Sequence, residues 1–430
     1  MAIKPEQQFG VENENADWHY VGIGMDMNFT ENNGWKFQNG MGSKTAQLEY
    51  EGRFSATWGG NLYLDYNNFY WLMFGLELYA FKKIGDYGYH IFSTANNKSI
   101  KSFSMRFLKL DREVGGPYDE EMIMLGCTMD KVSPSYESSG SAIKCAIGGK
   151  FADARLYADN LTDTIREGEN LGKNKVTPIN WGCLQVLNAQ GTAWEKVANN
   201  ERTGFTFSRT INTIPECGER IDNGYYESAI NPIPITAVVY SRNANQWQTR
   251  MHSGGIRNDL SADGENNMSS PRKKGLQGIP NIRIASGSLT ESEGESPAYS
   301  CIAQFEEAVV DNWGNTYNSG SEIVESPTIK ATKGIILFKT PDITEALPGS
   351  DPADVVTVTY QFGLNTEPLV MYYPEGYSIK TLELPDEAGV IGWETNDNVR
   401  YLVGEDVVLT DDITFTPIEG VQEEQTLDLD

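Results

Sequence analysis

The 430-residue sequence has only 3 histidines and 5 cysteines. His19, His90 and His252 fall in three separate segments, with no metal-ligand spacing between them. His90 follows Tyr89 in a strand pattern, where a packing histidine is the expected role. Cys127, Cys145, Cys183, Cys217 and Cys301 form no CxxC pair, and an odd number argues against a complete disulfide framework. Cys127 and Cys145 are expected as buried, reduced thiols. There is no GxxxxGK[ST] loop, no strand-linked GxGxxG and no GxSxG elbow, so a phosphate cradle and a nucleophile elbow have no support. No apolar run has the length of a membrane span, and the longest aromatic run, Phe69-Tyr70-Trp71-Leu72-Met73-Phe74-Gly75, is far too short. Residues 1–17 are polar and acidic and show no secretory signal pattern. Positive charge is scarce as well: 34 Lys and Arg stand against 60 Asp and Glu, a net charge of −26. Such a chain repels nucleic-acid phosphates unless a local patch overrides the field. The one compact basic run, Arg272-Lys273-Lys274, lies in a Gly/Ser/Asn-rich stretch and reads as a solvated loop tip.

What the chain does have is 42 glycines, clustered with Asn, Ser and Asp between short β-prone runs. This favours many strands and tight turns. A hydrophobic content of 39% is enough for packed cores, and the length calls for two or three domains. Two stretches, 18–157 and 181–338, follow one plan. Each opens on a short apolar segment (Val21-Gly22-Ile23-Gly24-Met25; Cys183-Leu184-Gln185-Val186-Leu187) and continues into an alternating strand, a long strand (46–57; 230–240) and a paired set of strands. A duplicated, Gly-rich β unit without catalytic groups reads as a building block that packs against copies of itself. Residues 61–80 are the helix candidate of the first unit, with Tyr63, Tyr66, Phe69, Tyr70, Trp71 and Phe74 as helix core and subunit contact. The division expected is an arm (1–17), two β domains (18–165 and 166–340), a Pro/Gly-rich linker (341–354) and a small β module (355–430). Residues 253–278 read as a long exposed insertion, and 419–430 as an acidic tail.

Carboxylates are so abundant that no single pair is informative. Asp119-Glu120-Glu121 reads as a solvated turn, and Asp259-Leu260-Ser261-Ala262-Asp263-Gly264 lacks the spacing of a calcium loop. No catalytic, cofactor-binding or metal-ligating set is expected, and the chain does not read as an enzyme.

The first unit resembles the tail tube (major tail) proteins of long-tailed viruses of bacteria and archaea. The resemblance rests on Gly42-Ser43-Lys44, on Glu51-Gly52-Arg53-Phe54-Ser55 and on the aromatic segment ending Trp71-Leu72-Met73-Phe74-Gly75. His90, Lys101-Ser102-Phe103-Ser104-Met105, Leu125-Gly126-Cys127-Thr128-Met129 and Gly148-Gly149-Lys150-Phe151 follow in the family's order. It implies a β-sandwich or partial barrel flanked by a helix, assembled into hexagonal rings that stack into a tube for DNA. Two units per chain then imply three chains per pseudo-hexameric ring, with six-chain rings as the alternative. The partners implied are the chain itself, other tail proteins and viral DNA passing without specific binding. The location implied is the virion tail, made in the host cytoplasm. An acidic and neutral-polar lumen is expected from the net charge. Met371-Tyr372-Tyr373-Pro374-Glu375-Gly376-Tyr377 and Gly392-Trp393 make the last module resemble the small B-type repeats of bacterial surface proteins, or an immunoglobulin-like decoration. Such a module suits contact with a host surface and a tail without a contractile sheath. The other reading is a carbohydrate-binding or adhesive β protein.

Overall fold

A computed structural model of the chain describes residues 1–22, 24–32, 36–39, 46–50, 54–76, 78–94, 101–110, 118–137, 142–161, 179, 182–187, 192–197, 200–214, 224–241, 279–286, 298–317, 323–363, 366–382, 384 and 389–419. Cys217, His252, the run Arg272-Lys273-Lys274, the 253–278 insertion, the Asp259–Gly264 cluster and the tail beyond 419 lie outside them.

The chain is mainly β. Its first part contains β1 (Ala2–Pro5), β2 (His19–Tyr20), β3 (Gly24–Asn32), β4 (Lys36–Asn39), β5 (Ala46–Tyr50), β6 (Ser55–Tyr63), a single helical turn α1 (Leu72–Gly75), β7 (Leu78–Ile84), β8 (Tyr87–Ser93), β9 (Phe103–Leu110), β10 (Tyr118–Glu137), β11 (Lys144–Phe151) and β12 (Asp153–Leu161). The second part contains β13 (Cys183–Leu187), β14 (Trp194–Lys196), β15 (Asn200–Phe205), β16 (Phe207–Ile214), β17 (Gly224–Ile230), β18 (Ile233–Ser241), β19 (Ile279–Ser286), β20 (Ser300–Tyr317), β21 (Ile323–Ala331) and β22 (Lys333–Thr340). Seven strands close the chain: β23 (Val355–Tyr360), β24 (Leu369–Pro374), β25 (Ser378–Lys380), β26 (Val390–Thr395), β27 (Arg400–Leu402), β28 (Asp406–Val408) and β29 (Ile413–Glu419).

Apart from the hairpin β7–β8, which has no counterpart among the described strands, the second part repeats the pairing of the first. The first half of β10 pairs with β9 and β12 and its second half with β11. The first half of β20 likewise pairs with β19 and β22, and its second half with β21. β6 joins β11 and β3 joins β6, as β18 joins β21 and β15 joins β18. The hairpins β1–β2 and β4–β5 recur as β13–β14 and β16–β17. Register repeats too. Met105 stands between Met124 and Ile3, and Ile282 between Phe305 and Val186. The ladders slip at matching places: Gly24/Asp26 and Asn200/Arg202, then Met129/Lys131 and Val310/Asn312. Each long strand bends at a residue with left-handed backbone, Gly126 at φ 62° and Glu307 at φ 52°. A non-glycine residue in that region costs about 1–3 kcal/mol, so its retention at Glu307 marks the bend as a requirement of the fold.

This alignment moves the start of the repeat. The counterpart of Cys183–Leu187 is β1, inside the expected arm, and not the segment at Val21. β1 is built into its own sheet between β2 and β9. Ile3 is 1% exposed, and buried Lys4 reaches Glu12 at 2.6 Å. Glu6 accepts hydrogen bonds from Ser104 Oγ (3.0 Å) and the Gly126 amide (2.9 Å), which pins the arm to the bend in β10. Burial of Ile3 and the bonds to the Glu6 carboxylate contribute about 3–6 kcal/mol together. Deleting residues 1–17 is therefore expected to lower the urea midpoint of the isolated chain, and an unchanged midpoint would contradict the docking of β1.

Among the described residues, neither unit has the flanking helix expected beside it. Residues 61–80 run through the end of β6, an irregular stretch, the one turn of α1 and the start of β7. Phe69, Tyr70, Trp71, Leu72, Met73 and Phe74 are all buried. A segment apolar on every side has no helical stripe to present and takes the path that the surrounding sheets allow. Gly75 packs against β10 so closely that a Cβ there would sit 2.6 Å from Val132 Cγ2.

The segment 341–354 lies along β7. Ala353 N donates to Tyr79 O (2.9 Å), Phe81 N donates to Ala353 O (3.0 Å) and Leu347 N donates to Tyr79 Oη (3.1 Å). The last strands form a five-stranded sheet ordered β24-β23-β29-β26-β27, with the small pair β25–β28. One hydrophobic cluster joins this module to the body, with Ala80, Tyr89, Ile91, Ile335 and Leu337 meeting Val355, Met371, Tyr373 and Tyr377.

Candidate assembly interface

Pair by pair, one ladder crosses both repeats in the order β3-β6-β11-β10-β15-β18-β21-β20. It is two four-strand units laid edge to edge. Alternation along the strands explains why it forms. Ala56 and Trp58 of β6 point into the core while Ser55 and Thr57 are exposed, and Cys145, Ile147 and Phe151 of β11 do the same against Lys144. Trp58 also bonds through Nε1 to Thr128 O (3.1 Å).

The seam between the units is the second half of β10 on β15 and β16. Ser135 stands opposite Gly204, Tyr136 opposite Thr203, and Lys131 opposite Ser208. Ser133 Oγ and Thr206 Oγ1 are 2.7 Å apart, and the Tyr136 and Phe205 rings are 6.4 Å apart. Buried Arg209 clamps the seam from below, donating from Nε to Met129 O (2.8 Å) and from Nη2 to Phe74 O (2.8 Å). A second seam lies on the far side of the core, where β22 pairs with β8 and Phe338 faces His90.

One face of the ladder is core and the other meets solvent. A single cross-strand row runs over the solvent face through Lys144, Ser135, Gly204, Thr236, Thr328 and Asn312. Small neutral residues dominate it. Lys131 and Lys144 are exposed there, Lys330 is bridged to Asp311 at 2.9 Å, and Asp26 accepts from Asn61 Nδ2 at 2.7 Å.

Of the residues singled out by type, those described hold packing positions. His90 is fully buried; its Nε2 donates to Ile343 O (2.9 Å), so Nδ1 accepts from Tyr79 Oη (2.8 Å). Burial holds its imidazole down, at about 4. His19 packs against Tyr70, with ring centroids 4.2 Å apart and planes tilted by 38°. Cys127, Cys145 and Cys301 are buried free thiols, and burial pushes all three up, Cys145 to about 12. Asp119-Glu120-Glu121 is part of β10, not a turn, and Glu121 is buried in an ion pair with Arg106. Alternation in β10 turns Glu121 inward, where Arg106 of β9 meets it. No group of three or more His, Cys, Asp and Glu able to hold a metal occurs among the described residues, and no helix among them is long and apolar enough to cross a membrane. The features sequence reading missed are β1 and the two ends of the ladder, which no local pattern distinguishes from other strands. Comparison with protein-family models and with curated proteins finds no match.

Proposed function

We propose that the chain is a structural, self-assembling virion protein, the tail tube subunit of a long-tailed virus. The observation that carries this reading is the eight-strand ladder, in which the second unit extends the sheet of the first. A module that joins its own copy edge to edge inside one chain is suited to joining further copies between chains. Three chains supply six units and about 24 strands. At ~4.8 Å between strands and ~40° of tilt, the closed sheet is roughly 45–50 Å across its backbone, wide enough for double-stranded DNA. The hydrophobic core lies on the other side of the ladder, so the small-residue face is the one that fits inside such a ring.

That face refines the expected lumen. A wall of hydroxyl, amide and glycine groups, with Lys131, Lys144 and Arg202 spaced apart among them, holds phosphate only weakly and does not repel it. The terminal module carries solvent-facing Ile391, Leu402 and Val408, which suits contact with another surface at the tube exterior.

Electron microscopy of the purified full chain tests the reading. Tubes built of rings with three chains each are the expected result. Rings of six full chains, or particles that never close, would refute it.

A further inference from the structure

Two strand edges of the ladder meet no other described strand: the outer edge of β3 and that of the second half of β20. Edges of this kind template further pairing, and monomeric proteins blunt them with lysine, proline or a covering segment. Neither Gly24–Asn32 nor the stretch 311–317 contains lysine or proline. Asn28, Thr30 and Glu31 on one edge, and Asn312, Gly314 and Thr316 on the other, are exposed.

The repeat states what each edge fits. The β20 edge is the counterpart of the β10 edge, because both follow the left-handed bend and the matching slip in their ladders. The β3 edge is the counterpart of β15, which slips at the matching place against β18. Within the chain, β10 takes β15. We infer that the β20 edge takes β3 of a second copy in that same register, placing Thr316 opposite Asn28, Tyr317 opposite Met27 and Trp313 opposite Glu31. The inference deepens the ring reading above and rests on it for closure. Residue types at the seam agree. Tyr136 of the internal seam corresponds to Tyr317, and its ring partner Phe205 corresponds to Phe29. The two residue types that meet at the internal seam thus recur at the two edges. Phe29 is half-buried in the single chain, against Phe107 at 4.8 Å.

Directly opposed strand residues have Cα atoms about 4.5–5.5 Å apart, within disulfide reach. The full chain carrying Asn28→Cys and Thr316→Cys is therefore expected to form reducible links between chains on mild oxidation, ending at a closed three-chain species on a denaturing gel. Each single variant stays at one chain. A chain with Asn28→Cys and Asn312→Cys is four residues out of register and stays unlinked. Tubes seen by microscopy without links in the in-register variant overturn the inference and leave the tube reading intact. Equal linking of the out-of-register variant also overturns it. Links that run on into open polymers, with no ring of three, support the pairing and overturn the tube reading instead.

Discussion

Replacing Glu306 with glutamine is expected to stabilise the protein at pH 8 and to change little at pH 4.5. Glu306 is only 6% exposed, on β20 beneath the terminal module. Tyr373 and Tyr377 of the module, Gln304 of its own strand, Lys333 of β22 and neighbouring Glu307 surround it. One carboxyl oxygen has no hydrogen-bond partner, while Gln304 Nε2 donates to Tyr373 Oη at 2.6 Å. Burial pushes the carboxyl up to about 7, against the pull of Tyr373 and Lys333. The folded state therefore keeps a proton that the unfolded chain releases near pH 4.5. Stability from this group is intact below that value and falls as pH rises to about 7. The loss is about 3 kcal/mol, from roughly 2.5 units of pKa at 1.36 kcal/mol each. Thermal unfolding across pH 4.5–8 checks it. The wild-type midpoint should fall relative to that of Glu306→Gln over this window, and parallel curves would rule out the buried proton. Because the module covers the group, the same experiment reports on docking across the 341–354 segment.

Two adjacent glycines are expected to behave as opposites. Gly149→Val should yield no folded protein. A Cβ at Gly149 would sit 1.7 Å from Thr128 O and 2.8 Å from Thr128 C, so the obstacle is backbone of β10 and cannot swing aside. Relieving it means parting β11 from β10 in the middle of the eight-strand ladder, a loss above roughly 4 kcal/mol. A Cβ at Gly148 points to the solvent face and meets nothing closer than Trp58 O at 3.4 Å. Gly148→Ala should therefore shift stability by less than about 1 kcal/mol. Soluble yield and urea midpoints distinguish the two. A folded Gly149→Val chain would show that β10 and β11 do not approach as described. The contrast also bears on assembly, since only the Gly148 position lies on the face proposed to line the channel.

The β class and the strands of the terminal module were legible in the sequence, because each is a local property. Alternation at Ser55, Ala56, Thr57 and Trp58 shows a half-buried strand without knowledge of its neighbours. Turn residues around Trp393 and Tyr401 bound short strands in the same way. The duplication was legible only as a plan, and its first element was misplaced, because β1 and β13 share a pairing position but little sequence. Pairing is non-local. The residues that make β1 a strand are Met105 and Ser104, a hundred positions away, and no period in residues 1–17 announces them. The same cause turned the aromatic run at 69–74 from part of an expected long helix into buried chain with a single helical turn. Its hydrophobicity was plain, but the walls that shape it come from β8, β9, β10 and β22. Tertiary structure alone decided that Glu306 is covered, that Arg209 clamps a seam and that β3 and β20 end the ladder. A strand edge is defined by which neighbour is missing, and one strand's sequence does not record that.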